Sequence, residues 1–102
     1  MAYPVAQEIL RQLGGAEFTL MTGACNLCAD ANSLRLSLTD AKDGINKVHI
    51  VLEPSDTYTV RFYRIRGANM LLVSEHTDMY FDQLQDLFEQ CTGLLVTLHP
   101  RR

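Results

Sequence analysis

The chain has 102 residues, 47% apolar and 21% charged, with 9 Lys and Arg against 12 Asp and Glu for a net charge of −3. These proportions fit one ordinary globular domain, residues 1–102, and exclude a disordered or fibrous chain, while the length excludes a second core. No apolar run approaches the roughly 18 residues of a membrane span, the N-terminus lacks a basic stretch followed by an apolar one, and the acidic balance opposes whole-surface attraction to nucleic acid or anionic lipid. Three cysteines are an odd number and too few to staple a secreted mini-domain, so reduced thiols in a cytoplasmic protein are expected.

Pro4 suits the first turn of a helix, and Val5, Ile9, Leu10 and Leu13 recur on one helical face up to Gly14-Gly15. Residues 18–24, Phe-Thr-Leu-Met-Thr-Gly-Ala, are β-prone, and their alternation predicts a strand with Phe18 and Leu20 on one side. Leu34, Leu36 and Leu38 alternate with Ser33, Arg35 and Ser37, the period of a strand with one wet face. Val48, Ile50 and Leu52 repeat that pattern, Pro54-Ser55-Asp56 turns the chain, and residues 57–66 return with Tyr58, Val60 and Phe62 inward. Ile65 breaks the phase, which predicts either a bulge near Tyr63-Arg64 or a strand end covered on both faces. After Gly67, residues 70–75 read as a further strand of an antiparallel meander. Asp78 is placed to cap a second helix whose stripe is Phe81, Leu84, Leu87, Phe88 and Cys91, ending at Gly93, and residues 94–98 read as an edge strand. The sum is an α+β two-layer sandwich: an antiparallel sheet of about five strands with an N-terminal and a C-terminal helix on one face.

Cys25 and Cys28 have the spacing that lets two thiolates meet one metal or form a redox pair. The pair is half a site: His49, His76, His99 and Cys91 offer no matching short spacing, and a thioredoxin-like motif would open a helix after a parallel strand. Buried or incidental thiols, with neither metal nor cofactor, are the plainer reading. Arg61, Arg64 and Arg66 stand beside Tyr63 with no acid between Thr57 and Gly67, a pattern by which a sheet face stacks a base and meets phosphate, or else a solvated face. Asp78, Asp82, Asp86 and Glu89 reverse the sign, and their spacing presents an acidic ridge on a helix, either solvated or offered to a basic protein surface. With no phosphate loop, nucleophile elbow or histidine pair in the sequence, and His49 and His76 read as surface groups, a non-enzyme is expected.

The stretch from Asp56-Thr57-Tyr58 through Arg64-Ile65-Arg66-Gly67, then Glu75-His76-Thr77-Asp78-Met79-Tyr80, Asp82-Gln83-Leu84 and Thr92-Gly93-Leu94, resembles a family of small uncharacterised accessory proteins of bacteriophages, prophages and plasmids. Leu13-Gly14-Gly15 and Met21-Thr22-Gly23-Ala24 fit the same pattern, which covers most of the chain but not the cysteine pair. The resemblance brings no catalytic residue or cofactor. It implies a compact accessory protein of a mobile genetic element, made inside a bacterial cell. Together with the absence of a catalytic constellation and an acidic helix that could cover a basic nucleic-acid channel, it leads to the expectation of a protein that binds a host protein, for instance as an inhibitor of a defence system such as a CRISPR–Cas effector. The alternative is a single-stranded nucleic-acid-binding module of the element, using Arg61, Tyr63, Arg64 and Arg66; no membrane partner is expected.

Overall fold

The computed structural model describes residues 3–96. Helix α1 (Pro4–Leu13) begins at its proline and stops at Gly14, whose φ of 131° turns the chain straight into a second helix, α2 (Gly15–Thr22). Five strands follow, β1 (Cys25–Ala29), β2 (Ser33–Ser37), β3 (Lys47–Leu52), β4 (Tyr58–Arg66) and β5 (Asn69–Met79), and then α3 (Leu84–Thr92). Each strand pairs antiparallel with the next, in the order β1-β2-β3-β4-β5, so β1 and β5 are the edges of a five-stranded meander. The architecture is α+β, and no helix among the described residues is long and apolar enough to cross a membrane.

One face of the sheet carries the core. Leu34, Leu36, Val48, Ile50, Val60 and Phe62 are buried there under Ile9 and Leu13 of α1, Phe18 of α2 and Leu84 and Phe88 of α3. Three aromatic rings join the layers: Phe88 meets Phe18 edge-on at 4.9 Å between centroids and lies 6.3 Å from Phe62. Each such side chain contributes about 1.5–3 kcal/mol by leaving water. Gln85 on α3 ties the helices together by donating to the Leu13 carbonyl at 3.1 Å.

Residues 18–24 are not a strand. Phe18 and Thr22 lie one helical turn apart on the buried face of α2, whereas Leu20 is 78% exposed. The Thr22 hydroxyl donates to the Phe18 carbonyl at 2.7 Å and accepts from the Ala24 N–H at 3.2 Å, and Gly23 closes the helix in the left-handed region at φ 71°. Helix α3 ends identically: Thr92 donates to the Phe88 carbonyl at 2.7 Å and accepts from Leu94 at 3.2 Å, before Gly93 at φ 74°.

Asp78 does not cap the second helix: β5 runs on to Met79, with Asp78 at φ 57°. The chain enters α3 through a 3-10 turn over Phe81–Gln83, where the Gln83 side chain accepts from the Tyr80 N–H at 2.8 Å. Phe81, expected in the core, is 62% exposed, while Leu84, Leu87 and Phe88 are buried as their spacing predicts. The edge strand expected at residues 94–98 is absent over 94–96, where no strand forms, and 97 and 98 lie outside the described residues.

Strand β4 keeps its phase against β3 from Leu52↔Tyr58 to Lys47↔Tyr63. The irregularities fall instead in its other neighbour: Phe62 pairs with Ser74 and Tyr63 with Leu72, leaving Val73 as an extra residue of β5, and Tyr58 pairs with Met79 and Val60 with His76, leaving a second extra residue nearer its end. Beyond β3, Asn46 continues the ladder with its side chain, donating to the Ile65 carbonyl and accepting from the Ile65 N–H, each at 2.8 Å.

Candidate functional site

With the helices on one face, strand alternation assigns Arg35, Lys47, His49, Arg61, Tyr63 and Ile65 to the other. The register turns these into rows across the sheet. Cys28, Arg35, His49, Arg61 and Glu75 are successive cross-strand partners, and Cys25, Ser37, Lys47, Tyr63 and Leu72 form the next row. Arg61 donates from Nε to the Glu75 carboxylate at 2.5 Å, and Arg35 reaches Asp30 at 3.4 Å, so both guanidinium groups on this face are already paired. The Lys47 ammonium donates to the Ser37 hydroxyl at 3.3 Å.

The basic cluster read from the sequence is therefore divided. Arg61 and Tyr63 share the open face, but Arg64 lies on the Phe62 side, with its Cδ close against Gly44, and the exposed Arg66 ends the strand at the β4–β5 turn opposite Asn69. What joins Tyr63 instead is Lys47. That neighbour follows from hairpin register, which the spacing of charges along one strand does not reveal.

The acidic residues also separate. Asp78 is exposed on β5, and Asp82 belongs to the 3-10 turn, where it borders a depression shared with Arg11, Gln12, Phe81 and Gln85. Only Asp86 and Glu89 are on α3, and they face different surroundings. Asp86 borders a second depression with Met79, Gln83, Leu87 and Gln90, whereas Glu89 accepts from the Val96 N–H at 3.1 Å. A continuous acidic helix face is not what these four residues make.

His76, expected at the surface, lies in β5 and points into the helix layer. Its Nε2 is 3.2 Å from the Ser74 hydroxyl and 3.4 Å from the Cys91 thiol, and its ring stands edge-on to Phe62 at 5.9 Å. A cysteine touching an imidazole is the first requirement of an activated nucleophile. Burial, however, pushes the Cys91 thiol up, opposite to the direction activation demands. Desolvation, followed by the charges of Arg35 and Arg61, holds His49 below its ordinary value of 6.5 and its Nε2 is buried without a hydrogen-bond partner. Among the described residues no group of three or more His, Cys, Asp or Glu side chains is placed to hold a metal ion.

The feature that sequence patterning missed is apolar. Met70, Leu71 and Leu72, consecutive on the edge strand β5, are 59%, 49% and 45% exposed. A run of three large apolar residues reads as a strand buried on both faces; here it is exposed on both faces and lies on an edge that no strand among the described residues pairs. The other edge, β1, is exposed along its whole length. Comparison of the chain with models of protein families, with curated proteins and with solved structures finds no match.

Proposed function

We propose that this is a non-enzymatic accessory protein that acts by binding another protein, and that the partner adds an extended segment to β5. The observation that carries the reading is the exposed run Met70-Leu71-Leu72 on a strand edge that no other strand among the described residues pairs, the combination that makes a template for strand addition. The charge pattern describes the partner segment. It is apolar opposite residues 70–72 and basic opposite Asp78, exposed farther along the same strand. The extra residue at Val73 interrupts the ladder, so main-chain pairing is concentrated at residues 69–72. The resemblance to phage and plasmid proteins supports a bacterial cell as the setting, and the partner proposed there is a host protein, with a component of a defence system such as a CRISPR–Cas effector foremost.

The test is capture from bacterial lysate with the wild-type protein and with Leu71→Lys, followed by hydrogen exchange on any complex recovered. The reading requires a protein held by the wild type and lost by the variant, with slowed exchange of the 69–76 amides in the complex. Capture undiminished by Leu71→Lys, or protection elsewhere on the fold, refutes it, as does no recovered protein together with unchanged phage or plasmid defence in cells expressing the chain.

The open face supports a second reading, in which Lys47 beside Tyr63, with Arg61 in the adjacent row of that face, holds single-stranded nucleic acid. Binding would then weaken with salt at a log–log slope of roughly −0.7 per phosphate contact, and Lys47→Ala would flatten it. A filter-binding titration at low salt that retains no DNA or RNA removes this reading.

A further inference from the structure

We infer that Cys25 and Cys28 form a two-thiolate site for a soft monovalent cation, copper(I), on the open face of β1. Residues three apart on a regular strand point to opposite faces. Here Cys25 pairs with Ser37 and Cys28 with Arg35, so three steps along β1 match two along β2, and Asn26 takes up the extra residue in the left-handed region at φ 52°. Ser37 and Arg35 both belong to the open face, and so therefore do both cysteines. Their neighbours Leu27 and Ala29 fall on the opposite side, lining a shallow groove with Ala6, Leu10 and Leu34. Neither cysteine is in a disulfide and both are exposed, unlike the half-buried Cys91 on the helix side, and the Cys25 thiol meets the Ser37 carbonyl at 3.8 Å. The bulge converts an ordinary two-residue spacing into a pair of sulfurs presented side by side.

The spacing of the partners selects what the pair can hold. Two strand rises along β2 set the two positions about 6.8 Å apart on one face. That separation is the upper end of the Cα range a disulfide bridges, so a direct S–S bond is poorly matched to it. An ion between the sulfurs removes the difficulty, since two thiolates on opposite sides of it stand apart by twice a metal–sulfur bond of roughly 2.3 Å.

The ligand count then selects the ion. Structural zinc requires four donors and catalytic zinc three, and the described residues bring no third His, Cys, Asp or Glu to this pair. Copper(I) is satisfied by two thiolates in line, and thiolate softness favours it. Each thiol gives its proton to solvent on binding, so the loaded site carries one net negative charge and two protons are released per ion. Lys47, hydrogen-bonded to the Ser37 that faces Cys25, sets positive charge beside it, whereas Arg35, directly opposite Cys28, is already paired with Asp30.

The experiment is an anaerobic titration of the reduced full-length protein with copper(I) in competition with a coloured copper(I) chelator, with molecular mass followed by light scattering. The expected result is one ion per chain and no change of mass on loading. Cys25→Ser and Cys28→Ser should each weaken binding by more than the roughly 10–100-fold cost of losing an outer-sphere partner, while Cys91→Ser leaves it unchanged. Because both cysteines are exposed on an edge strand, circular dichroism of the serine variants should match the wild type. Copper(I) binding by the double serine variant at wild-type strength overturns the site. One ion shared between two chains overturns the two-thiolate geometry, and zinc held as tightly as copper(I) overturns the choice of ion.

Discussion

Replacing Phe18 and Leu20 by alanine, one at a time, separates the helix that the chain forms at residues 15–22 from the strand that its composition suggests. A strand puts both side chains on one face, so the two substitutions would cost similar amounts. In α2 they are opposite in character, with Phe18 fully buried against Phe88 at 4.9 Å and Leu20 78% exposed. Removing a buried phenylalanine costs about 3–5 kcal/mol, the lost transfer energy plus the cavity left behind. Removing an exposed leucine costs within about 0.5 kcal/mol. In a domain of this length each 1 kcal/mol moves Tm by roughly 4–8 °C, so Phe18→Ala should lower it by well over 10 °C, or abolish the folded state, while Leu20→Ala barely moves it. Urea unfolding followed by circular dichroism gives the same comparison in free energy, and Phe18→Leu, which keeps most of the volume, provides a measurable intermediate if the alanine variant does not fold. Equal losses at the two positions would refute the helix and the edge-on ring contact with it.

Gly44→Ala should destabilise by more than the roughly 1–2 kcal/mol of left-handed strain alone, because at φ 71° its new Cβ would come within 2.7 Å of the Arg64 Cδ. Gly67→Ala, at φ 58° in open space, should cost only the strain, and equal Tm losses for the two would contradict the packing of Arg64. For His49, burial and then the charges of Arg35 and Arg61 depress the folded-state value below 6.5, so the unfolded chain takes up the proton first as pH falls. Its contribution is complete above about pH 6.5 and is lost below it, down to the lower folded-state value. Urea midpoints should therefore fall between pH 7.5 and 5 more steeply for wild type than for His49→Gln, and parallel slopes would refute the depressed value.

The parts of the fold legible in the sequence are those whose burial is one-sided. Leu34, Leu36 and Leu38 alternate with polar residues because β2 has one covered face, and Leu84, Leu87 and Phe88 recur at helical spacing because α3 lies on that cover. Helix α2 was hidden for two reasons: Phe, Thr and Met suit a strand as well as a short helix, and its buried stripe consists of only Phe18 and Thr22. A usable signal was nevertheless present. Phe18-x-x-x-Thr22-Gly23 and Phe88-x-x-x-Thr92-Gly93 are the same sentence written twice, and in both places a threonine hydroxyl and a left-handed glycine end a helix. Strand β1 gave no alternation to read because all five of its residues are exposed.

The binding surfaces were less legible, because they depend on which residues become neighbours and on which strand is last. Lys47 meets Tyr63 only through the register of the β3–β4 hairpin, and Arg64 leaves that company because each step along a strand changes face. Asp78 reads as a helix cap until β5 is seen to continue past its irregularities to Met79, which moves the acid from a helix to a sheet edge. Met70-Leu71-Leu72 looks like core in one dimension for a sound reason, since in an inner strand such a run would be paired on both edges and covered. The meander order makes β5 terminal among the described residues, and the same three side chains, on an edge that no described strand pairs, become the surface on which strand addition by a second polypeptide is proposed.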